Sequence, residues 1–204
     1  MSTIPKSSHP TLVMKFGGTS VGTPEAMAQA AQIVLSAHPD WPRLVVVSSA
    51  LAGVTNLLLR SATRAAEGDS ETYTQAVDEL RERHFNIIDK LVAEEARQQQ
   101  TKQEIVGLID NFRSLCQAIA VLGEASPRAL DAVAALGERM SVRLFSAAVE
   151  SAGLMAPFVE ATRLIITDSF FQSAHPDIDV TTENIRCILN PMLNQGQVPI
   201  VTGF

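Results

Sequence analysis

The chain has 204 residues, and its 16 Lys and Arg against 22 Asp and Glu give a formal net charge of −6. That acidic balance argues against a general nucleic-acid binder, because such proteins present a basic face to the phosphate backbone. Hydrophobic residues make up 46% of the chain and the mean hydropathy is +0.14, which excludes global disorder. Charged residues, at 19%, fall below the usual ~25%, which indicates a surface that a partner covers.

The two cysteines, Cys116 and Cys187, stand far apart without a CxxC neighbour, which excludes a disulfide framework and a Cys-rich zinc site. Residues 1–10 are polar and lack the apolar segment of a secretory signal. No run of apolar residues approaches the ~18 of a membrane span. These features predict a cytoplasmic protein with neither nucleic acid nor membrane among its partners.

The chain opens with the pattern strand, helix, strand. Residues 11–16 form a short apolar run stopped by two glycines, which predicts a buried strand. The Thr-Pro pair at 23–24 predicts the start of a helix. Residues 43–48 contain a continuous apolar run at 44–47 and suit a parallel strand covered on both faces, followed by a turn over 50–55 and a helix from Leu57 onwards. This order is typical of an α/β domain.

Residues 71–122 depart from that rhythm. Two amphipathic stripes of helical period are separated by the polar stretch 94–102. They predict a helical hairpin inserted between strands of the sheet.

The next segment predicts a further helix and a strand. The Ser-Pro pair at 126–127 begins the helix, Gly137 interrupts its pattern, and residues 139–152 resume it. A short strand is expected at 157–161. The polar residues 162–180 then predict a loop or hairpin.

The last elements are a helix and a fourth strand, at 198–202. We expect Thr181 or Thr182 to cap that helix. Its inner face is predicted to comprise Ile185, Ile188, Leu189 and Met192. Because an α/β chain that stops just after a core strand lacks the helix that would cover it, we expect these 204 residues to be the first part of a larger protein.

The run KFGGTSVG at 15–22 carries the strongest chemical signal. A lysine at the carboxyl end of a first strand points into the crevice where α/β folds bind ligands, and Gly17 and Gly18 allow backbone amides to approach an anion. Thr19 and Ser20 add hydroxyl donors. The run predicts phosphate binding by Lys15 without a GxxxxGK[ST] or GxGxxG motif; a tight strand-to-helix turn with an incidental lysine is the alternative.

Two further segments supply polar groups. Ser49, Thr55 and Asn56 follow the second strand, so in a parallel sheet they lie at the same end as Lys15 and can bind a small polar substrate, or serve only as turn and cap residues. Glu138 lies beside a glycine within a helical region. It either takes the ammonium group of an amino acid or is an ordinary glutamate of a helix surface.

Together these segments resemble the aspartate kinases of the amino acid kinase family. The segments that carry the resemblance are 15–21, 49–56, 137–141 and 198–204, and Thr167-Asp168 with Phe171 is similar to the family's threonine–aspartate hairpin. The resemblance implies an α/β fold, a mostly parallel sheet sandwiched by helices. Residues 1–204 then form the N-terminal, amino-acid-substrate part of the kinase domain, with a helical insertion at about 71–122.

The resemblance also implies an activity and a set of site residues. The family moves the γ-phosphoryl group of ATP, bound with Mg²⁺, to the β-carboxylate of L-aspartate, the first step towards lysine, threonine and methionine. By resemblance Lys15 is catalytic. The ATP phosphates contact Lys15, Gly17, Gly18, Thr19 and Ser20, and aspartate contacts Ser49, Thr55 and Glu138, with Glu138 facing the amino group. Ser48 is an extra serine before Ser49, and counting back from Gly53 favours Ser49.

The family's second half, with its Gly-Arg-Gly-Gly-Ser-Asp motif, much of the ATP site and the ACT domains, has no counterpart in these residues. We expect these parts as partners, in a homo-oligomer. The α-carboxylate of aspartate needs a cation, and Arg139, Arg143 and Arg163 are candidates, although the family uses an arginine of its second half. The 204-residue chain is therefore expected to bind aspartate weakly and to be inactive alone.

Two other functions stay open. One is an amino acid kinase with another carboxylate acceptor, such as glutamate or an acetylated amino acid. The other is a non-catalytic oligomerisation or regulatory fragment, for which the helical hairpin is the main feature. An acceptor carboxylate with a pKa near ~3.9 is ionised at neutral pH, so neither kinase requires a catalytic histidine.

Overall fold

The computed structural model describes residues 10–203 and contains one four-stranded parallel sheet in the order β1-β2-β4-β3. The strands are β1 Leu12–Phe16, β2 Leu44–Ser48, β3 Phe158–Val159 and β4 Ile200–Thr202. In the pairing register Phe16 lies beside Ser48, which lies beside Thr202. The carboxyl ends of β1, β2 and β4 therefore meet at one edge, where open α/β sheets bind their ligands.

Helices cover both faces of this sheet. They are α1 Gly18–Val21, α2 Pro24–Ala37, α3 Val54–Ala66, α4 Ser70–Leu91, α5 Glu95–Leu122, α6 Pro127–Ser151 and α7 Ile178–Asn194, with a 3₁₀ turn over Ala161–Arg163. Val46 and Ile200 face the large core built with α2 to α6. Val45 and Val201 point the other way, into a smaller core closed by α7. The α/β architecture with a parallel sheet between helices is confirmed.

Helices α4 and α5 occupy the range in which the sequence predicts a helical hairpin. Asp69 caps α4 by accepting a hydrogen bond from the Thr72 amide at 3.0 Å, and α5 ends at Gly123 with φ +68°. The hairpin packs on α3 and α6, so it extends the helical layer on one face of the sheet.

Helix α5 is long and apolar enough over 18 residues to cross a membrane, judged by length and composition alone. Its stripe of Ile105, Ile109 and Phe112 is fully buried against neighbouring helices. Through this stripe the helix packs on α3, α4 and α6, whereas Val121 and Leu122 at its carboxyl end are exposed.

Helix α6 and the third strand differ in extent from the sequence predictions. Helix α6 runs without interruption through Gly137, because that glycine packs directly on a neighbouring loop and needs no break in the helix. The strand expected over 157–161 is only Phe158–Val159, since the chain enters the 3₁₀ turn at Ala161.

Predictions about α7 and α3 also need correction. Helix α7 starts at Ile178 and is capped by Asp177, which accepts from the Val180 amide at 3.0 Å, and neither Thr181 nor Thr182 is the cap. Ile185 of the predicted inner face is exposed, while Leu189 is buried as expected. Helix α3 starts at Val54, before the predicted Leu57. The predicted hairpin within 162–180 is present as an antiparallel bridge between Thr167 and Pro176.

Candidate active site

Lys15 lies in β1, one residue from its end, beside Val47 of β2. The strand alternates, so that Phe16 points into the core, where its ring packs edge-on against Phe145 at 5.3 Å, and Lys15 points outward and is exposed. Within residues 10–203 no carboxylate lies within 4 Å of the Lys15 ammonium group. The charge is therefore available to an anionic ligand.

The glycine run turns sharply after β1 into the short helix α1. A side chain at Gly18 would place its Cβ 2.7 Å from the carbonyl oxygen of Ala50, and one at Gly22 would lie 2.9 Å from the carbonyl oxygen of Gly18. Both positions therefore require glycine, whereas Gly17 borders open space. Thr19 and Ser20 are exposed beside them.

Residues 49–53, which we call the β2 loop, pack on the glycine run. The amide of Ser49 donates to the carbonyl of Phe16 at 3.1 Å, and the amide of Ala52 donates to the carbonyl of Gly18 at 3.1 Å. Gly53 then adopts φ +79° and begins α3, where Thr55 is half-buried. These bonds fix Ser49 and the glycine run as one unit at the edge of the sheet.

The two neighbouring serines differ in access to this edge. Ser48 is fully buried, and its hydroxyl lies 3.2 Å from the hydroxyl of Ser141 and 3.2 Å from the carbonyl of Ser49. Ser49 is half-buried at the surface. The hydroxyl of Ser49 is thus the more accessible to a ligand.

Glu138 reaches the same edge from α6. Burial raises the pKa of its carboxyl group to about 7, against the opposing effects of a hydrogen bond from the Ala50 backbone and the charge of Lys15. Its Oε2 atom is buried and has no hydrogen-bond partner in the described part of the chain. A buried oxygen without a partner at the rim of a ligand-binding edge suits a cationic donor such as an ammonium group.

Two of the three candidate arginines are engaged elsewhere. Glu160 lies 3.0 Å from Nε of Arg139 and 2.9 Å from Nη2 of Arg143, whose guanidinium also stacks on the ring of Phe158 at 4.3 Å. Burial raises the pKa of Glu160, but the two arginines outweigh it and hold that pKa below its usual value. Arg163 is exposed on the 3₁₀ turn.

The hairpin that contains Thr167 and Asp168 packs on the start of α6. Asp168 accepts from the Phe170 amide at 3.0 Å and lies 3.0 Å from Nδ1 of His175. The ring of Phe171 lies under the Arg128 guanidinium at 5.5 Å. These contacts organise the hairpin internally and against α6.

Sequence reasoning missed three contributors to this region. Glu160 neutralises two candidate cations, the backbone of Ala50 acts to lower the pKa of Glu138, and Arg83 of α4 donates to the carbonyl of Ala52 at 2.6 Å. Every residue type except proline offers a backbone amide, so the sequence does not indicate which residue supplies one. Arg83 and Glu160 read as ordinary surface charges because their partners are distant in sequence.

Curated proteins similar to this chain are aspartokinases. Lysine-sensitive aspartokinase 3 of Escherichia coli is 34% identical over 193 residues, which cover 95% of this chain and 40% of that protein. The aspartokinase of Candida albicans is 31% identical over 212 residues, covering 95% of this chain and 37% of its own length. The chain thus spans about two fifths of the length of these relatives.

Solved structures similar to this chain are also aspartokinases. The structure of E. coli aspartokinase III in complex with aspartate and ADP has a TM-score of 0.83 and 32% identity, covering 96% of this chain and 41% of that one. The complex with lysine and aspartate has a TM-score of 0.81 and 33% identity, covering 95% and 41%. The profile of the amino acid kinase family matches residues 10–204, and the chain belongs to that family.

Proposed function

We propose that the protein is an aspartate kinase, which transfers the γ-phosphoryl group of ATP to the β-carboxylate of L-aspartate. The observation that carries the proposal is that the β2 loop joins the end of β1, with Lys15, to the part of α6 that carries Glu138. It occurs in a chain similar over 96% of its length to an aspartokinase III structure solved with aspartate and ADP. The activity is proposed for the whole gene product, since the chain spans only part of its relatives.

The reaction needs charge neutralisation more than proton transfer. An oxygen of the β-carboxylate, with a pKa near ~3.9, is ionised at neutral pH and forms a bond to the γ-phosphorus while the bond to the bridging oxygen of ADP breaks. Lys15 and the amides of Gly17 and Gly18 stabilise the phosphoryl oxygens as charge shifts between them. Mg²⁺ bound to the nucleotide would supply further positive charge to the phosphates beside Lys15. Thr19 and Ser20 supply further hydroxyl donors to the phosphates.

Recognition of the acceptor falls to the β2 loop, the first turn of α3 and α6. The ammonium group of aspartate pairs with the carboxylate of Glu138, whose Oε2 has no partner among residues 10–203. A cation at that point favours the ionised form and lowers the pKa of Glu138 from about 7. Ser49 and Thr55 donate hydroxyl hydrogen bonds to the substrate. The aspartyl phosphate that results begins the route to lysine, threonine and methionine.

The test is formation of an acyl phosphate by the complete gene product, trapped with hydroxylamine as the hydroxamate. L-Aspartate, L-glutamate and an N-acetylated amino acid are compared at equal concentrations with ATP and Mg²⁺. We expect product from L-aspartate and a rate at least about 10²-fold lower from the N-acetylated compound, which has no ammonium group for Glu138. Product from the N-acetylated substrate alone would replace this proposal with a different acceptor.

A further inference from the structure

Arg83 links the helical hairpin to the β2 loop. Its Nη2 atom donates to the carbonyl of Ala52 at 2.6 Å, a short charge-assisted hydrogen bond, and its Nη1 atom lies 3.3 Å from the carboxylate of Glu79 one helical turn earlier. The side chain of Arg83 is 29% exposed, so this bond is only partly screened by solvent. Glu79 orients the guanidinium group of Arg83, and the carbonyl oxygen of Ala52 accepts its hydrogen bond.

Ala52, whose carbonyl accepts this bond, also contacts other parts of the candidate site. The same Ala52 donates its amide to the carbonyl of Gly18 at 3.1 Å, and its Cβ would lie 3.1 Å from a side chain placed at Gly22. Two residues earlier, Ala50 lies against Gly137, the neighbour of Glu138 in α6, because a Cβ placed at Gly137 would lie 2.9 Å from the Cβ of Ala50. A displacement of Ala52 would therefore reach the glycine run and Glu138 together.

The packing on this side of the β2 loop is open. A groove of about 480 Å³ lies between α3 and α4, lined by Gly53, Asn56, Arg60 and Arg83 among others. The chain turns directly after Ala52, where Gly53 adopts φ +79°. A loop that borders a groove has fewer packing contacts to hold it, so a directional bond to its carbonyl has more influence on its position.

We propose that Arg83 is a positioning residue for the acceptor site, which holds the β2 loop against the glycine run and Glu138 through the carbonyl of Ala52. The effect on catalysis rests on the proposed function, whereas the effect on the loop does not. The helical hairpin then contributes to the geometry of the site as well as to the core.

The experiment compares Arg83→Met, which keeps an apolar stem, and Arg83→Lys in the complete gene product. The matched control is Arg81→Met on the same helix, whose partner is Asp78 of α4 at 3.5 Å. Amide hydrogen exchange at Ala52 reports the bond to Gly18, and steady-state kinetics report the KM for aspartate and kcat. Thermal unfolding checks that each variant is folded.

We expect Arg83→Met to speed exchange at Ala52 about tenfold and to raise the KM for aspartate about five- to tenfold, as for loss of one partly exposed charge-assisted hydrogen bond. Arg83→Lys should recover part of both, because one ammonium donor replaces a two-armed guanidinium. Arg81→Met should match the wild type.

Exchange and KM in Arg83→Met equal to those in Arg81→Met would overturn the inference. Faster exchange with an unchanged KM would also overturn it, because the loop would then move without consequence for the site. If Arg83→Met does not fold, Arg83→Lys decides alone: intermediate exchange and KM support the inference, and wild-type values of both would overturn it. A wild-type protein that does not phosphorylate aspartate would refute the proposed function, while exchange at Ala52 would still test the contact.

Discussion

Lys15 and Glu138 carry opposite charges and act on each other, yet the pKa of Glu138 remains raised to about 7 because burial of its carboxyl group outweighs the attraction of Lys15. The pair is therefore not a satisfied ion pair. Each member keeps capacity for a ligand, Lys15 for an anion and Glu138 for a cation. A nucleotide phosphate provides the anion for Lys15, and the ammonium group of an amino acid provides the cation for Glu138.

Replacing Lys15 with alanine should lower kcat by a factor of about 10² or more, the scale for losing one group that stabilises the developing charge. The protein should stay folded, since Lys15 is exposed. Lys90→Ala on α4 is the control, as its ammonium lies on the surface 3.4 Å from Glu25. Initial rates at saturating aspartate and ATP measure the effect, and an unchanged kcat would remove Lys15 from the mechanism.

Glu138→Gln should stabilise the protein in alkaline solution while weakening aspartate binding. The folded-state pKa of Glu138, about 7, lies above the ordinary value of 4.5, so the folded chain binds more protons between these values and stability falls as pH rises through them. A glutamine side chain does not ionise, so the variant does not lose this stability as the pH rises. Allowing for solvent screening of the partly exposed side chain, we expect a gain of about 1 kcal/mol at pH 8 that vanishes near pH 4.

Urea unfolding of both proteins across that pH range measures the difference. A constant offset between wild type and Glu138→Gln at every pH would show that the carboxyl group does not titrate abnormally. The KM for aspartate, measured on the same variant, should rise because a neutral amide cannot replace the carboxylate opposite an ammonium group.

Gly137→Ala and Gly107→Ala should have opposite effects on stability, although both glycines lie inside long helices. A methyl group at Gly137 would meet Ala50 Cβ at 2.9 Å and Val54 Cγ1 at 3.2 Å, whereas Gly107 borders open space. Overpacking costs about 1–3 kcal/mol and exceeds the helix-propensity gain of about 1 kcal/mol at Gly137, while Gly107→Ala keeps that gain.

Thermal unfolding of the two variants measures these changes. Because the clash at Gly137 pushes on Ala50, the KM for aspartate should also rise in Gly137→Ala and stay unchanged in Gly107→Ala. Equal stabilisation by both alanines would contradict the close packing of α6 on the β2 loop.

His84 should make the fold acid-sensitive. Burial lowers the pKa of its imidazole from 6.5 to about 4, and since Nδ1 lies 2.6 Å from the carbonyl of Leu80 it carries the proton of the neutral ring. The unfolded chain binds the extra proton first, so stability falls as pH drops from about 6.5 to about 4, by up to about 3 kcal/mol.

The loss of stability on acidification should largely disappear in His84→Leu. It should persist in His175→Gln, because the side chain of His175 lies in the exposed hairpin. Chemical denaturation at pH 7 and pH 4.5 is the measurement. If His84→Leu loses as much stability on acidification as the wild type, another group is responsible.

The sequence predicts the sheet and the edge at which the candidate site lies, because apolar strands, glycine turns and Lys15 are local features. It does not predict the cap of α7 at Asp177, since three polar residues nearby offer the same chemistry and tertiary packing selects one. Nor does the sequence predict that Glu160 forms ion pairs with Arg139 and Arg143, or that Arg83 donates a hydrogen bond to Ala52. These contacts join residues whose spacing carries no signal.

The proximity of Lys15 to Glu138 predicts a site for an amino acid with a free ammonium group beside a nucleotide phosphate. Phosphoryl transfer from ATP, measured as hydroxamate formed by the complete gene product with L-aspartate and, separately, with N-acetyl-L-aspartate, tests that claim most directly. We expect hydroxamate from L-aspartate and a rate at least about 10²-fold lower from its acetylated form, with which the buried carboxylate of Glu138 would have no cationic partner. Equal rates with the two acceptors would contradict it.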